Sequence, residues 1–111
     1  MAPITEGQVD RVRELVASIP AGRVSTYGDI ASAGGLSSPR IVGWIMRTDS
    51  ADLPWHRVLS ASGKPAAHLA TRQLERLASE GVPHHDGRVD LAAVRFSFDD
   101  DHTTSSAGST G

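Results

Sequence analysis

The side chains best suited to chemistry on a charged or aromatic ligand fall in four short stretches, Ser25-Thr26-Tyr27-Gly28, Ser38-Pro39-Arg40, Pro54-Trp55-His56-Arg57 and Glu80-Gly81. Taken singly, each has an ordinary use. Tyr27 on a short helix suits half-buried packing with a satisfied hydroxyl, Arg40 suits a phosphate or plain solvent, and Trp55 between a proline and a histidine suits a core. One absence limits the chemistry more firmly: the 111 residues contain no cysteine, which excludes disulfides, thiolate metal sites and thiol nucleophiles. The five histidines raise the alternative of a metal or hydrolytic site. However, His84-His85-Asp86 falls on an expected hairpin, where neighbouring side chains point to opposite faces, so no metal or other cofactor is expected.

These residues need elements to hold them. Thr5-Glu6-Gly7-Gln8 has the form of a capping box, and Val9, Val12, Val16 and Ile19 then recur with helical spacing until Pro20-Ala21-Gly22 ends the helix. After an extended Arg23-Val24-Ser25, Thr26 can cap a short helix carrying Tyr27, Ile30 and Ala31, which Gly34-Gly35 terminates. Ser38 can cap a third helix with Pro39 at its first position, where the missing N–H costs nothing. Ile41, Trp44 and Ile45 are expected to form its buried face. Arg40 then sits in the first turn, able to project beyond the helix end, and the pair of helices fits a helix-turn-helix.

Further along, Thr48 to Leu53 reads as a loop, Pro54 to Leu59 as a mixed run, and Ser60 to Gly63 as a turn. A last helix is expected to bury Ala70, Leu74, Leu77 and Ala78, with Gly81 as its cap and Pro83 beyond. Asp86-Gly87 signals a two-residue hairpin turn between Val82–His85 and a second strand from Arg88 to Phe98, on which Phe96 and Phe98 share a face. The fold class is therefore mainly α with a small C-terminal β-hairpin, a helix-turn-helix of winged-helix-like type. Residues 99–111 are polar and acidic, offer nothing to bury, and are expected to be a disordered tail to a single domain spanning 1–98.

Charge qualifies the picture. The formal net charge is −2, but without Asp99, Asp100 and Asp101 it becomes +1. Between Arg23 and Arg76, seven basic residues face four acidic ones. This mild basic patch is compatible with phosphate contacts. No basic segment leads into an apolar run at the N-terminus, and no stretch approaches membrane-spanning length, so a cytoplasmic protein without membrane contacts is expected.

Taken in order, Ile19-Pro20-x-Gly22-x-Val24-Ser25-Thr26-Tyr27-Gly28-x-Ile30-Ala31, Pro39-Arg40-x-Val42-Gly43, Pro54-Trp55-His56-Arg57-Val58 and Glu80-Gly81 resemble the DNA-binding domain of the O6-alkylguanine-DNA alkyltransferases. More closely, the chain resembles their alkyltransferase-like relatives, in which tryptophan replaces the reactive cysteine. The resemblance covers roughly residues 6 to 98. It implies a protein that flips an O6-alkylguanine out of duplex DNA, at a cost of a few kcal/mol in stacking and pairing that protein contacts must offset.

The same resemblance assigns roles. Arg40 matches the finger that fills the vacated stack, and Tyr27 the tyrosine that presses on the neighbouring phosphate. Ser38, Pro39, Arg40 and Gly43 would line the DNA-facing edge of the second helix, docked in the minor groove. Trp55 stands at the position of the nucleophile. An indole has no localised lone pair to accept an alkyl group, so it can supply only an aromatic wall, and no enzymatic transfer is expected. Tyr27, Trp55, Val58 and His68 form the implied lesion pocket, with His68, or else Lys64, where some relatives place an arginine over the flipped base. His56 and Glu80 match the family's proton relay and are expected to persist as structure, as is Arg57. The implied partners are duplex DNA containing O6-alkylguanine and, downstream, nucleotide excision repair proteins, with the chain acting as a monomer.

Two alternatives use the same residues. A sequence-specific helix-turn-helix regulator would need polar side chains aimed at base edges, and the Ser38 to Arg47 helix is largely apolar beyond its arginines. Dealkylation by water, using His56 and Glu80, is the other.

Overall fold

The computed structural model describes residues 4–98, so the acidic run and the expected tail lie outside the described residues. Helix α1 spans Glu6–Ala17 and starts with the reciprocal capping box between Thr5 and Gln8. Strand β1 (Ser25–Thr26) leads directly into α2 (Tyr27–Gly34), and α3 follows as Pro39–Thr48. A 3-10 turn at Trp55–Arg57 precedes β2 (Val58–Leu59), and a second at Ala67–Leu69 precedes α4 (Ala70–Ser79). The chain closes with the hairpin strands β3 (His84–His85) and β4 (Arg88–Val89) and a one-turn helix α5 (Leu91–Val94). The mainly helical fold with a C-terminal hairpin is as expected.

A small parallel sheet that the sequence did not announce organises the core. β1 pairs with β2, Ser25 opposite Val58 and Thr26 opposite Leu59, so α2 and α3 form the crossover between them. Consecutive strand residues point to opposite faces. Val58 accordingly joins one apolar cluster with Val12, Val16, Ile30, Val42 and Ile45. Leu59 joins a second with Val24, Leu74, Leu77, Val82 and Val89. The two-stranded sheet thus ties the α1–α3 layer to the α4–hairpin layer.

Three expectations are corrected. Trp44 is 46% exposed rather than buried. Val42 and Ile45 set the core ridge of α3, and at about 100° per residue position 44 turns well away from it. On α4, Ala78 is exposed and Gln73 is buried in its stead. Gln73 is satisfied there, its Nε2 donating to the carbonyls of His56 (3.1 Å) and Val58 (2.7 Å). Finally, the chain after the hairpin turn is not one long strand. Asp90 Oδ1 accepts from the Ala92 N–H at 3.1 Å and starts α5, after which Arg95 forms only an isolated parallel bridge to Val24. Phe96 and Phe98 do meet, edge to face with centroids 5.1 Å apart, against the first apolar cluster.

Candidate nucleic-acid interface

Two caps fix the helices that carry the DNA-facing residues. Thr26 Oγ1 accepts from the Asp29 N–H at 3.0 Å, which sets Tyr27 as the first residue of α2. Ser38 Oγ accepts from the Arg40 N–H at 3.1 Å, and Pro39 opens α3, so Arg40 stands exposed in the first turn. Gly35, at φ 70°, supplies the left-handed residue that ends α2 and allows the turn between the helices. The Asp29 carboxylate is clamped by Arg95 through contacts of 2.7 and 2.6 Å, joining α2 to the C-terminal segment.

A cleft of about 1040 Å³ lies beside α3, and Tyr27, Pro39, Arg40, Gly43, Trp55 and His68 all line it. Residues separated by up to 41 positions are therefore brought to one place. Two residues considered for the pocket, Val58 and Lys64, are not there. Val58 is 1% exposed, paired with Ser25 and packed in the first apolar cluster, so it cannot form pocket wall. Ser38 is used in the α3 cap and does not line the cleft, nor does Lys64.

The cleft also holds residues that the sequence did not mark, notably Met46, Arg47, Arg72 and Gln73. Arg72 lies with its guanidinium carbon 5.6 Å from the centroid of the Trp55 ring, and Arg76, one helical turn on, at 5.2 Å. Both distances suit cation–π attraction, and they fix positive charge against the aromatic wall. The i, i+4 spacing of Arg72 and Arg76 was visible in the sequence. What it faced was not, because α4 meets the Trp55 turn only in the folded chain.

Charge in the cleft is positive on balance. Asp49 and Asp52 line it, but Arg13 of α1 holds both, at 3.3 and 2.6 Å. Among the described residues, Arg40, Arg47 and Arg72 have no carboxylate within salt-bridge distance. Burial pushes the Tyr27 phenol above its ordinary value, with Arg47 pulling weakly the other way. The hydroxyl is thus a proton donor at neutral pH, as a contact to a phosphate oxygen requires.

Behind Trp55, His56, Arg57 and Glu80 form a closed network. Arg57 donates to Glu80 through Nε (3.0 Å) and a terminal nitrogen (2.6 Å), and to the Ile19 carbonyl at 2.8 Å. His56 Nε2 lies 2.9 Å from Glu80 Oε2. The Arg57 hydrogen bonds, with a smaller contribution from His56, hold the Glu80 carboxyl at about 2. An ionised carboxylate only accepts, so Nε2 carries the imidazole proton, and the buried Nδ1 has no partner within the described residues. The histidines of the hairpin contribute no comparable site. His84 and His85 are exposed, His85 approaches Asp86 at 3.5 Å, and among the described residues no three metal-ligating side chains converge.

A helix-turn-helix whose second helix borders a cleft with an aromatic wall, and with arginines that have no carboxylate partner among the described residues, defines a nucleic-acid-binding domain. Residues 8–82 match the family described as 6-O-methylguanine DNA methyltransferase, DNA binding domain, and the chain belongs to that family. The DNA base-flipping protein of Escherichia coli (strain K12) is 37% identical over 94 residues, covering 79% of this chain and 73% of that protein. Alkyltransferase-like protein 1 of Schizosaccharomyces pombe is 39% identical over 79 residues, 65% of this chain and 73% of its own. The crystal structure of S. pombe Atl1 in complex with damaged DNA containing O6-carboxymethylguanine superposes with a TM-score of 0.77 at 30% identity, covering 84% of this chain and 97% of that one.

Proposed function

We propose that this protein is a non-enzymatic DNA damage sensor that rotates an O6-alkylguanine out of the duplex into the cleft and leaves the alkyl group in place. The observation that carries the reading is the meeting of Tyr27, Arg40 and Trp55 on one cleft in a chain that has no cysteine. Arg40 enters the stack where the nucleotide was, and Tyr27 bears on the adjacent phosphate. The base packs against Trp55, which stands where alkyltransferases of the family carry their nucleophile, and its ring supplies contact area but no lone pair for transfer. His68 stands at the cleft edge beside the base. His56 and Glu80 remain as scaffold, since there is no thiol for them to activate. A protein that cannot remove the alkyl group must pass the lesion on, which supports a hand-over to nucleotide excision repair.

Fluorescence anisotropy of labelled duplexes, with and without a single O6-methylguanine, tests this. Tighter binding of the lesion duplex, with the methyl group still on guanine when the DNA is recovered, is the expected result. Equal affinities would remove the sensor reading, and recovered guanine would replace it with hydrolysis through His56 and Glu80.

A further inference from the structure

Trp44 is the large hydrophobic side chain that the described residues leave exposed, and neither the core nor the cleft uses it. It stands four residues after Arg40 and three before Arg47, so both arginines are its neighbours on the helix surface. At about 100° per residue, Arg40 and Arg47 form a ridge nearly opposite the buried Val42 and Ile45. Gly43 and Met46 lie on the cleft side of that ridge. Trp44 lies on the other side. The face therefore presents an indole next to two guanidinium groups that have no carboxylate partner among the described residues.

The chemistry of that patch selects its occupant. A nucleic-acid backbone offers a phosphate to Arg47 and apolar sugar faces to the indole. An apolar protein surface would instead strand two desolvated charges, which is costly. With the first turn of α3 set against a duplex, the outer flank of the helix would face the adjoining sugar–phosphate strand. We propose that Trp44 packs against the sugar–phosphate backbone of the duplex outside the lesion site, adding affinity that is independent of damage. This rests on α3 binding DNA and not on what enters the cleft.

Because Trp44 and Trp55 are the chain's two tryptophans, each can be read alone. In Trp55→Phe the remaining emission comes from Trp44, and it should shift on saturation with undamaged duplex. Trp44→Ala should weaken undamaged and lesion duplexes by the same factor, roughly five- to tenfold, as expected if about half of the exposed indole is covered on binding. The slope of log affinity against log salt should not change, whereas Arg47→Gln should lower it by about one. Trp44→Phe should retain most of the affinity. Unmoved Trp44 emission at duplex concentrations where anisotropy reports binding would overturn the proposal. So would unchanged affinity in a folded Trp44→Ala, or a loss confined to the lesion duplex. Failure of the sensor reading looks different, since it appears in the unmodified protein as equal affinity for the two duplexes and leaves the Trp44 result readable.

Discussion

Arg40 and Arg57 are the same residue type in opposite circumstances. Arg40 stands exposed at the start of α3, with no carboxylate partner among the described residues. Arg57, its side chain 17% exposed, spends its donors on Glu80 and the Ile19 carbonyl. An arginine whose hydrogen bonds are satisfied inside the fold has little left for a phosphate. The charge available to DNA is the charge the fold does not use, and position in a recognisable motif does not say which kind an arginine is. The contrast extends to the surrounding regions: the exposed edge of α3 has no carboxylate partner among the described residues, while the turn at Trp55 is locked to Ile19, just past α1, and to Gln73 and Glu80 of α4 and its cap.

The largest effect should come from breaking the locked side. Arg57→Ala leaves a largely buried carboxylate with only His56, and should cost about 3 kcal/mol in urea unfolding. Arg40→Ala should stay within about 0.5 kcal/mol of the unmodified protein, as exposed substitutions usually do. Equal losses in the two variants would erase the distinction.

The same network gives a pH signature. Glu80 has its carboxyl lowered from 4.5 to about 2 on folding, so the folded chain binds this proton less readily than the unfolded one. The contribution is fully present above about pH 4.5 and is lost as pH falls toward and through about 2. Arg13 lowers Asp52 as well, so the informative quantity is the difference from Glu80→Gln, whose urea midpoint should fall less steeply across that window. Parallel acid limbs would mean that Glu80 is not held by Arg57. On the open side the expected change is in binding. Arg40→Ala should lower affinity for the lesion duplex at least tenfold, about 1.4 kcal/mol, with its thermal unfolding unchanged.

What was legible in the sequence follows the same division. Thr5, Thr26, Ser38 and Asp86-Gly87 act on their nearest neighbours, so their caps and turn could be read directly. The cleft wall contributed by Tyr27, Arg40 and Trp55 was legible because it travels with ordered motifs. Apolar character alone misplaced Trp44 and Ala78, since burial on a helix follows angular position and not side-chain type. The long strand expected after Gly87 failed because the Asp90 cap, a stronger local signal, starts a helical turn first. The parallel β1–β2 pair that buries Val58 joins segments 33 residues apart, and no local pattern announces it.

The far wall of the cleft yields the smallest and most discriminating prediction. Arg72 and Arg76 both lie over Trp55, but only Arg72 also lines the cleft. A single exposed cation–π contact is worth about 0.5–1 kcal/mol, so removing one arginine leaves the ring partly supported by the other. Arg72→Gln should therefore lower lesion affinity by about two- to fivefold, the factor that energy corresponds to, while binding of undamaged duplex changes less. Arg76→Gln, one turn further from the cleft, should affect Trp55 emission in a Trp44→Phe background more than it affects binding. If both variants weaken lesion binding equally, the arginines act together by orienting the indole. If only Arg72 matters, its guanidinium is itself part of the surface the base meets, and a cleft residue that no motif marks takes its place beside Arg40.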